Sequence, residues 1–177
     1  MADYPAHLVH EHRLFDGRTV TLRPVRPDDS ARMQAFLAGL SDENLYLRFQ
    51  KWIGAPSEKL AQYLTDIDLD RHMAFVCVAG AGRDAPIVGD ARYNVNPDGA
   101  SCEFGVMIAD DWHSTGIAGL LMDDLISAAR SRGLKRMEGL VLATNSAMLR
   151  FARGLGFKVE TAPEDRTTAY IVKELLP

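Results

Sequence analysis

The sequence predicts a mixed α+β fold, in which strands and amphipathic helices follow one another along one chain. One observation is the stretch 101–145, whose hydrophobic pattern is that of a strand, a turn, a long helix and a second strand. A second is the pair Asp16-Gly17 between two alternating runs, which is typical of a β-hairpin. A third is the composition, since 47% hydrophobic and 25% charged residues in 177 is ordinary for a globular domain.

The remaining elements follow from hydrophobic periodicity and from capping residues. After the hairpin, strands are predicted over 73–78, 87–94, 101–109, 137–142, 157–160 and 168–174. Asp28, Asp29 and Ser30 open a first helix that ends near Gly39. Further helices are predicted from Ser41 to about Phe49, over 57–65, from Ser114 and Thr115 to about Arg132, and over 145–155.

The centre of this pattern is the strand over 101–109 and the helix that follows it. Apolar residues from Cys102 to Ile108 alternate with an opposite face that includes Glu103. Ser114 and Thr115 are candidate N-caps, and Gly116 and Gly119 lie where the helix begins. Free N–H groups and the positive end of the helix dipole meet there, so this N-terminus favours a phosphate group.

The glycines of this segment fit neither G-x-x-x-x-G-K-[ST] nor G-x-G-x-x-G. The segment 113–118, His-Ser-Thr-Gly-Ile-Ala, instead resembles the Q/R-x-x-G-x-G/A pyrophosphate loop of the GNAT superfamily of acyl-CoA N-acyltransferases. The context also matches, with Asp-Asp-Trp before the loop and Leu155-Gly156-Phe157 near the end of the chain. His113 replaces the usual Gln or Arg. Because the family binds pyrophosphate mainly through backbone amides, we expect this change to tune the loop.

The resemblance covers nearly the whole chain and implies one GNAT domain over 1–177, with a mostly antiparallel central sheet of six to seven strands flanked by helices. It also implies acetyl-CoA (coenzyme A) as the cofactor. The strand residues that would offer amides and carbonyls to the pantetheine arm are Met107, Ile108 and Ala109. The loop residues are His113, Ser114, Thr115, Gly116, Ile117, Ala118 and Gly119, and Asn145 matches a cofactor-contacting asparagine while also suiting a helix N-cap.

Within the superfamily, several segments look like the Pat-type protein lysine acetyltransferases, which acetylate a lysine of an acyl-CoA synthetase. They are 4–5, the hairpin, 22–29, 45–49 and 66–71. The resemblance therefore ranks a protein lysine first as the amine acceptor, in a groove between the first helices and the loop 66–71. Pat-type domains are often fused to a regulatory domain, which does not fit in this length, so we expect a stand-alone module. Dimers are common among similar domains, so a homodimer is compatible with the resemblance.

The chemistry of amine acylation asks for a base. A lysine-like amine has a pKa of ~10.4, so making it neutral near pH 7 costs roughly 4–5 kcal/mol. Glu103 matches the acidic residue that similar domains use as general base. The alternative is a carboxylate that simply faces solvent.

The carbonyl oxygen also needs a donor, and we expect a backbone N–H freed by a β-bulge near Gly105 and Val106. The tyrosine that often protonates the leaving thiolate in the family corresponds to Ala152, so no tyrosine acid is expected. Two functions of different class follow: an acetyltransferase acting on a protein lysine or a small amine, or a catalytically silent acyl-CoA-binding module.

Other features exclude functions. A net charge of −4 argues against nucleic acid, and neither a signal peptide nor an apolar run of membrane-spanning length is present. Two separated cysteines, Cys77 and Cys102, predict buried thiols and a cytoplasmic protein. No metal site is predicted. His10 and His12 share an exposed strand face, and the Asp-rich run 66–70 lacks the glycine and glutamate of a calcium loop.

Overall fold

A computed structural model of the chain describes residues 3–51, 53–162 and 165–176. Within these ranges, eight strands form one sheet: β1 (His10–Arg13), β2 (Thr19–Pro24), β3 (His72–Ala79), β4 (Ile87–Val95), β5 (Ser101–Ile108), β6 (Arg136–Leu142), β7 (Lys158–Ala162) and β8 (Asp165–Glu174). The five α-helices are α1 (Ser30–Gly39), α2 (Asp42–Phe49), α3 (Glu58–Thr65), α4 (Ile117–Ser131) and α5 (Ser146–Gly154). The mixed α+β class is confirmed.

The sheet has the order β1-β2-β3-β4-β5-β6-β8-β7. Every neighbouring pair is antiparallel except β5 and β6, which run parallel because α4 connects them as a crossover helix. The mostly antiparallel sheet is therefore confirmed. It has eight strands rather than six to seven, since the four-residue β1 and both strands of the last hairpin join the same sheet.

The parallel pair β5–β6 holds together over only a short length. Its register contains three pairs, Ser101–Arg136, Cys102–Met137 and Glu103–Glu138. Beyond them β5 stays paired with β4 as far as Ile108, while β6 stays paired with β8 as far as Leu142. The two strands therefore diverge, and a gap opens in the middle of the sheet.

Helices cover both faces of the sheet, so each face has its own hydrophobic core. One core lies under α4 and α5 and includes Cys102, Phe104 and Leu121. The other lies under α1–α3 and includes Met33, Leu64 and Met107. Glu103 is exposed, but Met107, two pairs further along the same face of β5, is only 1% exposed. Near Met107, the alternating side chains of β5 therefore point into two different hydrophobic cores. Neither face of the strand is open to solvent there.

Local signals account for most element boundaries. Gly17 in the predicted hairpin has a φ of +91°, which glycine adopts readily. The N-caps Ser41 and Ser57 each accept a hydrogen bond of 3.1 Å, from the amides of Asn44 and Leu60. Gly156, with a φ of +91°, follows the C-cap of α5. No helix in the described part of the chain is long and apolar enough to cross a membrane.

Candidate functional site

The gap between β5 and β6 opens into a cleft of about 1070 Å³. Helix α2 forms its roof, β5 and β6 form its walls, and the beginnings of α4 and α5 lie at one end. The lining residues of α2 and its ends are Ser41, Glu43, Asn44, Leu47, Arg48, Phe49, Gln50 and Lys51. From the Asp66–Arg71 loop, which we expected at the acceptor groove, no residue lines this cleft; Arg132 at the end of α4 pairs with Asp70 of that loop instead.

Two side-chain amides hold α2 across the gap. The Nδ2 of Asn44 donates to the carbonyl of Ile108 at 3.1 Å and to Asp110 Oδ1 at 2.9 Å. At the other end, the Nε2 of Gln50 donates to the carbonyl of Leu140 on β6 at 3.0 Å. Gln50 ends the helix in the left-handed conformation, with φ +56°. Helix α2 is thus joined to both of the strands that diverge beneath it.

The predicted phosphate loop lies between the end of β5 and α4. Ser114 has a φ of +62° and Gly116, the N-cap of α4, a φ of +91°. The prediction that Ser114 or Thr115 caps α4 with its side chain is wrong. The hydroxyl of Thr115 donates instead to the carbonyl of Trp112 at 2.7 Å, and the left-handed turn at Gly116 leaves no side chain in the capping position.

Consequently, the amide N–H groups around the start of α4 are unpaired. Among the described residues, no acceptor is found for the amides of residues 114–119. A Cβ placed on Gly116 or Gly119 would meet nothing within 4 Å, so the space beside these two residues is open, and Gly116 lines the cleft. Several free donors at the positive end of a 15-residue helix suit a diphosphate. The residues present therefore fit the diphosphate of a coenzyme A molecule.

The edge of β5 supplies a second set of main-chain groups. The carbonyl of Ser101 and the amide of Ala109 bond to Asn96 and Val88 on the β4 side, both at 2.8 Å. Because bonding direction alternates along a strand, the main-chain groups of Val106 and Ile108 face the gap. The predicted bulge at Gly105–Val106 is absent from the β4–β5 pair, whose register runs without a shift from Val95–Cys102 to Gly89–Ile108. Divergence from β6, and not a bulge, directs the Val106 amide towards the cleft.

The cofactor residues predicted from the sequence fall into two groups. Those that line the cleft are Ile108, His113, Ser114, Gly116, Ala118 and Asn145. Those that do not are Met107, Ala109, Thr115, Ile117 and Gly119. Met107, Thr115 and Ile117 are buried, and Ala109 uses its amide toward Val88 and its carbonyl toward Trp112.

Two of the cleft residues already have structural partners. A ring nitrogen of His113, Nε2, lies 3.2 Å from the carbonyl of Ile108, so its side chain folds back onto β5. Asn145 is the N-cap of α5 and accepts from the amide of Met148 at 3.2 Å. Its amide Nδ2 stays available to a ligand, so capping and cofactor contact are compatible.

Glu103 lies at the last paired position before the strands diverge, and its side chain lines the cleft. It is exposed, and within the described ranges no hydrogen bond or ion pair engages its carboxylate. Glu138, its partner in the register, differs. Asn96 donates to Glu138 Oε1 at 2.9 Å, and the Tyr170 hydroxyl donates to Oε2. Of these two carboxylates, Glu103 is the one whose lone pairs are free to accept a proton.

Arg48 is a cleft residue that the sequence reasoning did not single out. Its guanidinium lies against Gly105 of β5, and its Nε is buried without a hydrogen-bond partner. Burial lowers the pKa of Arg48, while the nearby carboxylates of Asp90 and Glu103 act in the opposite direction. The signal in the sequence is Gly105 itself, a glycine inside a strand, which often marks a close approach by another group.

Beneath Arg48, β4 carries a buried ion pair. Asp90 accepts from Arg92 Nε at 2.9 Å and from Nη2 at 2.5 Å, and both residues are at most 2% exposed. The remaining Nη1 of Arg92 donates to the carbonyl of Leu64 at 2.9 Å and lies 3.2 Å from His72 Nε2. Burial and the Arg92 charge lower the pKa of His72 to about 4. This network anchors β4, the strand that pairs with β5.

Burial excludes two other positions, Ala152 and Cys102, as sources of a catalytic side chain. Ala152, at the position of the usual tyrosine, is fully buried. Cys102 is a free, buried thiol whose pKa is raised to about 12 by burial, so it offers no thiolate. Within the described residues, no group of three or more His, Cys, Asp or Glu side chains is arranged to hold a metal ion.

Comparison with known proteins gives consistent matches. The profile of the acetyltransferase (GNAT) domain family matches residues 19–158. The chain is 36% identical over 154 residues to Acetyltransferase PA5475 of Pseudomonas aeruginosa, which covers 87% of this chain and 83% of that protein. It is 34% identical over 141 residues to Acetyltransferase Pat of Mycolicibacterium smegmatis, covering 79% of this chain but 41% of that longer protein.

The fold is also similar to a solved structure. The GNAT domain of S. lividans PAT superposes with a TM-score of 0.86 at 23% identity, covering 97% of this chain and 99% of that one. At this identity the likeness concerns the fold.

Proposed function

Because this chain belongs to the GNAT family of acetyltransferases, whose acyl donor is acetyl-CoA, we propose that it transfers acetyl directly to a primary amine, with Glu103 as general base. The observation that carries this proposal is the position of Glu103. Its free carboxylate lines the same cleft as the open amides at the start of α4. A base and a diphosphate site in one cleft suit a reaction between an acyl-CoA and an amine.

The donor end of the cleft is proposed to hold coenzyme A by its main chain. The amides of residues 114–119 would bind the diphosphate. The main-chain groups of Val106 and the amide of Ile108 would bind the pantetheine arm, since the Ile108 carbonyl is already engaged by Asn44. Asn145 would add a side-chain contact through its Nδ2. Acetyl-CoA supplies an activated acetyl thioester, so the protein has to bind, orient and deprotonate but form no acyl-enzyme.

The acceptor end is proposed to lie at Glu103, under α2. The carboxylate takes a proton from the ammonium group, and the neutral amine attacks the thioester carbon. Removing that proton at neutral pH costs roughly 4–5 kcal/mol for a lysine-like amine, which is why a base beside the carbonyl accelerates the reaction. No side chain at Ala152 can protonate the leaving thiolate, so water does so or it leaves as the anion.

We propose a protein lysine, such as that of an acyl-CoA synthetase, as the acceptor. The identity to Acetyltransferase Pat supports this choice, and the match covers less than half of that relative. A small-molecule amine is the second candidate, because α2 covers the acceptor end and encloses part of the cleft. Two buried free thiols support a cytoplasmic location. A homodimer, as is common among similar domains, completes the proposal.

The proposal is tested by measuring release of free CoA with a panel of lysine peptides, acyl-CoA synthetase and small amines. We expect Glu103→Gln to lower kcat by 10²–10⁴-fold, as is typical when a general base is removed, while calorimetry finds unchanged binding of acetyl-CoA. Glu138→Gln is the matched control, because that neighbouring carboxylate is engaged by Tyr170 and Asn96. We expect its turnover to equal wild type.

Two results would overturn these assignments. Equal losses in Glu103→Gln and Glu138→Gln would mean that charge on this sheet edge matters, and not a specific base. Tight binding of acetyl-CoA without turnover on any acceptor would favour the silent binding module. Acetylation of peptides or protein but not of small amines supports the lysine acceptor, and the reverse supports a small substrate.

A further inference from the structure

Arg48 is a positively charged residue of the cleft that lacks a hydrogen-bond partner among the described residues. It lies on α2, its Nε is buried without a hydrogen-bond partner, and no acceptor for its guanidinium is found in the described part of the chain. It lies 5.2 Å from the ring of Phe49 and against Gly105 of β5. The carboxylates of Asp90 and Glu103 are near enough to act on its charge, but neither forms a hydrogen bond or ion pair with it. Leaving the buried Nε–H donor without a partner costs free energy. A ligand oxygen in the cleft would satisfy it, and the two Nη groups beside it offer further donors.

The contact with Gly105 locates these donors. A Cβ placed on Gly105 would lie 2.5 Å from Arg48 Cζ and 2.6 Å from both Nε and Nη2. The guanidinium therefore lies on the strand backbone directly beside the Val106 amide, which faces the gap. Glu103, two residues earlier on the same face, is about 7 Å away along the strand. The donors of Arg48 thus lie between the proposed base and the main-chain amide.

We propose that Arg48 is a second hydrogen-bond donor to the acyl oxygen of the thioester, beside the Val106 amide. This inference rests on the proposed acetyl transfer. As the amine nitrogen bonds to the carbonyl carbon, the π electron pair moves onto oxygen, and Arg48 and Val106 donate to it. When that pair returns, the carbon–sulfur bond breaks and its electrons leave with the CoA sulfur. Glu103 holds the first proton, which it takes from the ammonium group. The second proton leaves the nitrogen as the amide forms and passes through water to the departing CoA sulfur.

The absence of a bulge in β5 explains why a side-chain donor such as Arg48 would be needed. Because the β4–β5 pair has no bulge, the Val106 amide is the main-chain donor that faces the gap beside Arg48. A positively charged guanidinium supplies the second donor and offsets the growing negative charge. Gly105 is needed for this arrangement, since any Cβ there would displace Arg48.

The first test replaces Arg48 by Met, which keeps the apolar stem. Loss of one such donor costs roughly 10²–10³-fold in kcat, and we expect Arg48→Met in that range and Arg48→Lys between it and wild type. Arg26→Met is the matched control. Arg26 also has a buried, unpaired Nε and lies over an aromatic ring, that of Tyr4 at 5.0 Å, but it does not line the cleft. Its kcat is expected to be unchanged.

A binding measurement separates this role from a structural one. Wild type should bind acetyl-CoA roughly five- to tenfold more tightly than S-ethyl-CoA, which lacks the carbonyl oxygen. Arg48→Met should lose most of that preference, while its affinity for free CoA stays within about twofold of wild type. A raised KM for the acceptor with normal kcat and normal acetyl-CoA preference would overturn the proposal in favour of acceptor binding.

A double-mutant cycle with Gly105→Ala removes the remaining ambiguity. The added methyl should push the flexible Arg48 side chain away and lower kcat by a similar factor, with the arginine still present. In the Arg48→Met background, Gly105→Ala should cost little more. Losses that multiply in the double mutant would overturn the proposal. Failure of Glu103→Gln to lower turnover would disprove the base assignment but leave these binding results intact.

Discussion

The two glycines at the start of α4 should respond in opposite directions to the same substitution. Gly116 has a φ of +91°, and an alanine held in the left-handed region costs about 1–2 kcal/mol. Gly119 lies within α4 in ordinary helical conformation, where alanine is about 1 kcal/mol more favourable than glycine. A Cβ meets nothing within 4 Å at either position, so neither value includes a steric clash. The two variants should therefore differ by about 2–3 kcal/mol.

Thermal and urea unfolding measure this difference directly. For a domain of this size 1 kcal/mol shifts Tm by about 2–4 °C, so Gly119→Ala should melt roughly 4–12 °C above Gly116→Ala, with wild type between them. Added CoA should stabilise Gly119→Ala as it does wild type, because its amides keep their positions, and should stabilise Gly116→Ala much less. If both substitutions moved Tm in the same direction, the left-handed turn that directs the amides would be refuted.

Two further predictions concern the buried network beneath the site. Asp90→Asn should destabilise the fold by about 3–5 kcal/mol, because it leaves the buried Arg92 charge uncompensated. Asp16→Asn at the exposed Arg18 pair should lower the urea midpoint far less, and equal midpoints for the two variants would contradict this. His72, whose pKa is lowered to about 4 in the fold from an ordinary 6.5, favours the native state only while neutral, so its contribution is complete above pH 6.5 and is lost as the pH falls towards 4. The urea midpoint of wild type should fall across this window, and that of His72→Gln should fall less; parallel curves would show that His72 does not titrate in this way.

Local chemistry explains why much of the fold is predictable. The Asp-Gly hairpin, the serine caps of α2 and α3 and the glycine after α5 each depend on a few neighbouring residues, and each is confirmed. The prediction of a Ser114 or Thr115 cap for α4 was wrong, and the reason is again local. Serine and threonine are good caps in general, but a left-handed Gly116 directs the chain so that Thr115 bonds backward to Trp112.

The missed parts of the site depend on contacts between distant segments. The β5–β6 divergence depends on where the pairing of strands 35 residues apart stops, and no local pattern marks that position. We expected a bulge to free the Val106 amide, but that amide faces the gap because β5 and β6 diverge. Arg48 lies on a helix whose apolar residues predict packing, and only the folded chain brings it against Gly105 of a remote strand. The acceptor end is therefore less predictable than the donor end.

Because α2 is attached separately, the part of the cleft that would hold the acyl carrier and the part that would admit the amine are built from different elements. The acyl carrier would be gripped by main-chain atoms of β5 and α4, which almost any side-chain replacement leaves in place. The entrance for the nucleophile is roofed by one short helix tied down through the amides of Asn44 and Gln50. Evolution can exchange that helix for another of similar length and change which amines enter, while the carrier grip and the carboxylate at position 103 persist. Proteins with this scaffold can therefore come to differ in their amine substrates before they differ in the reaction they catalyse.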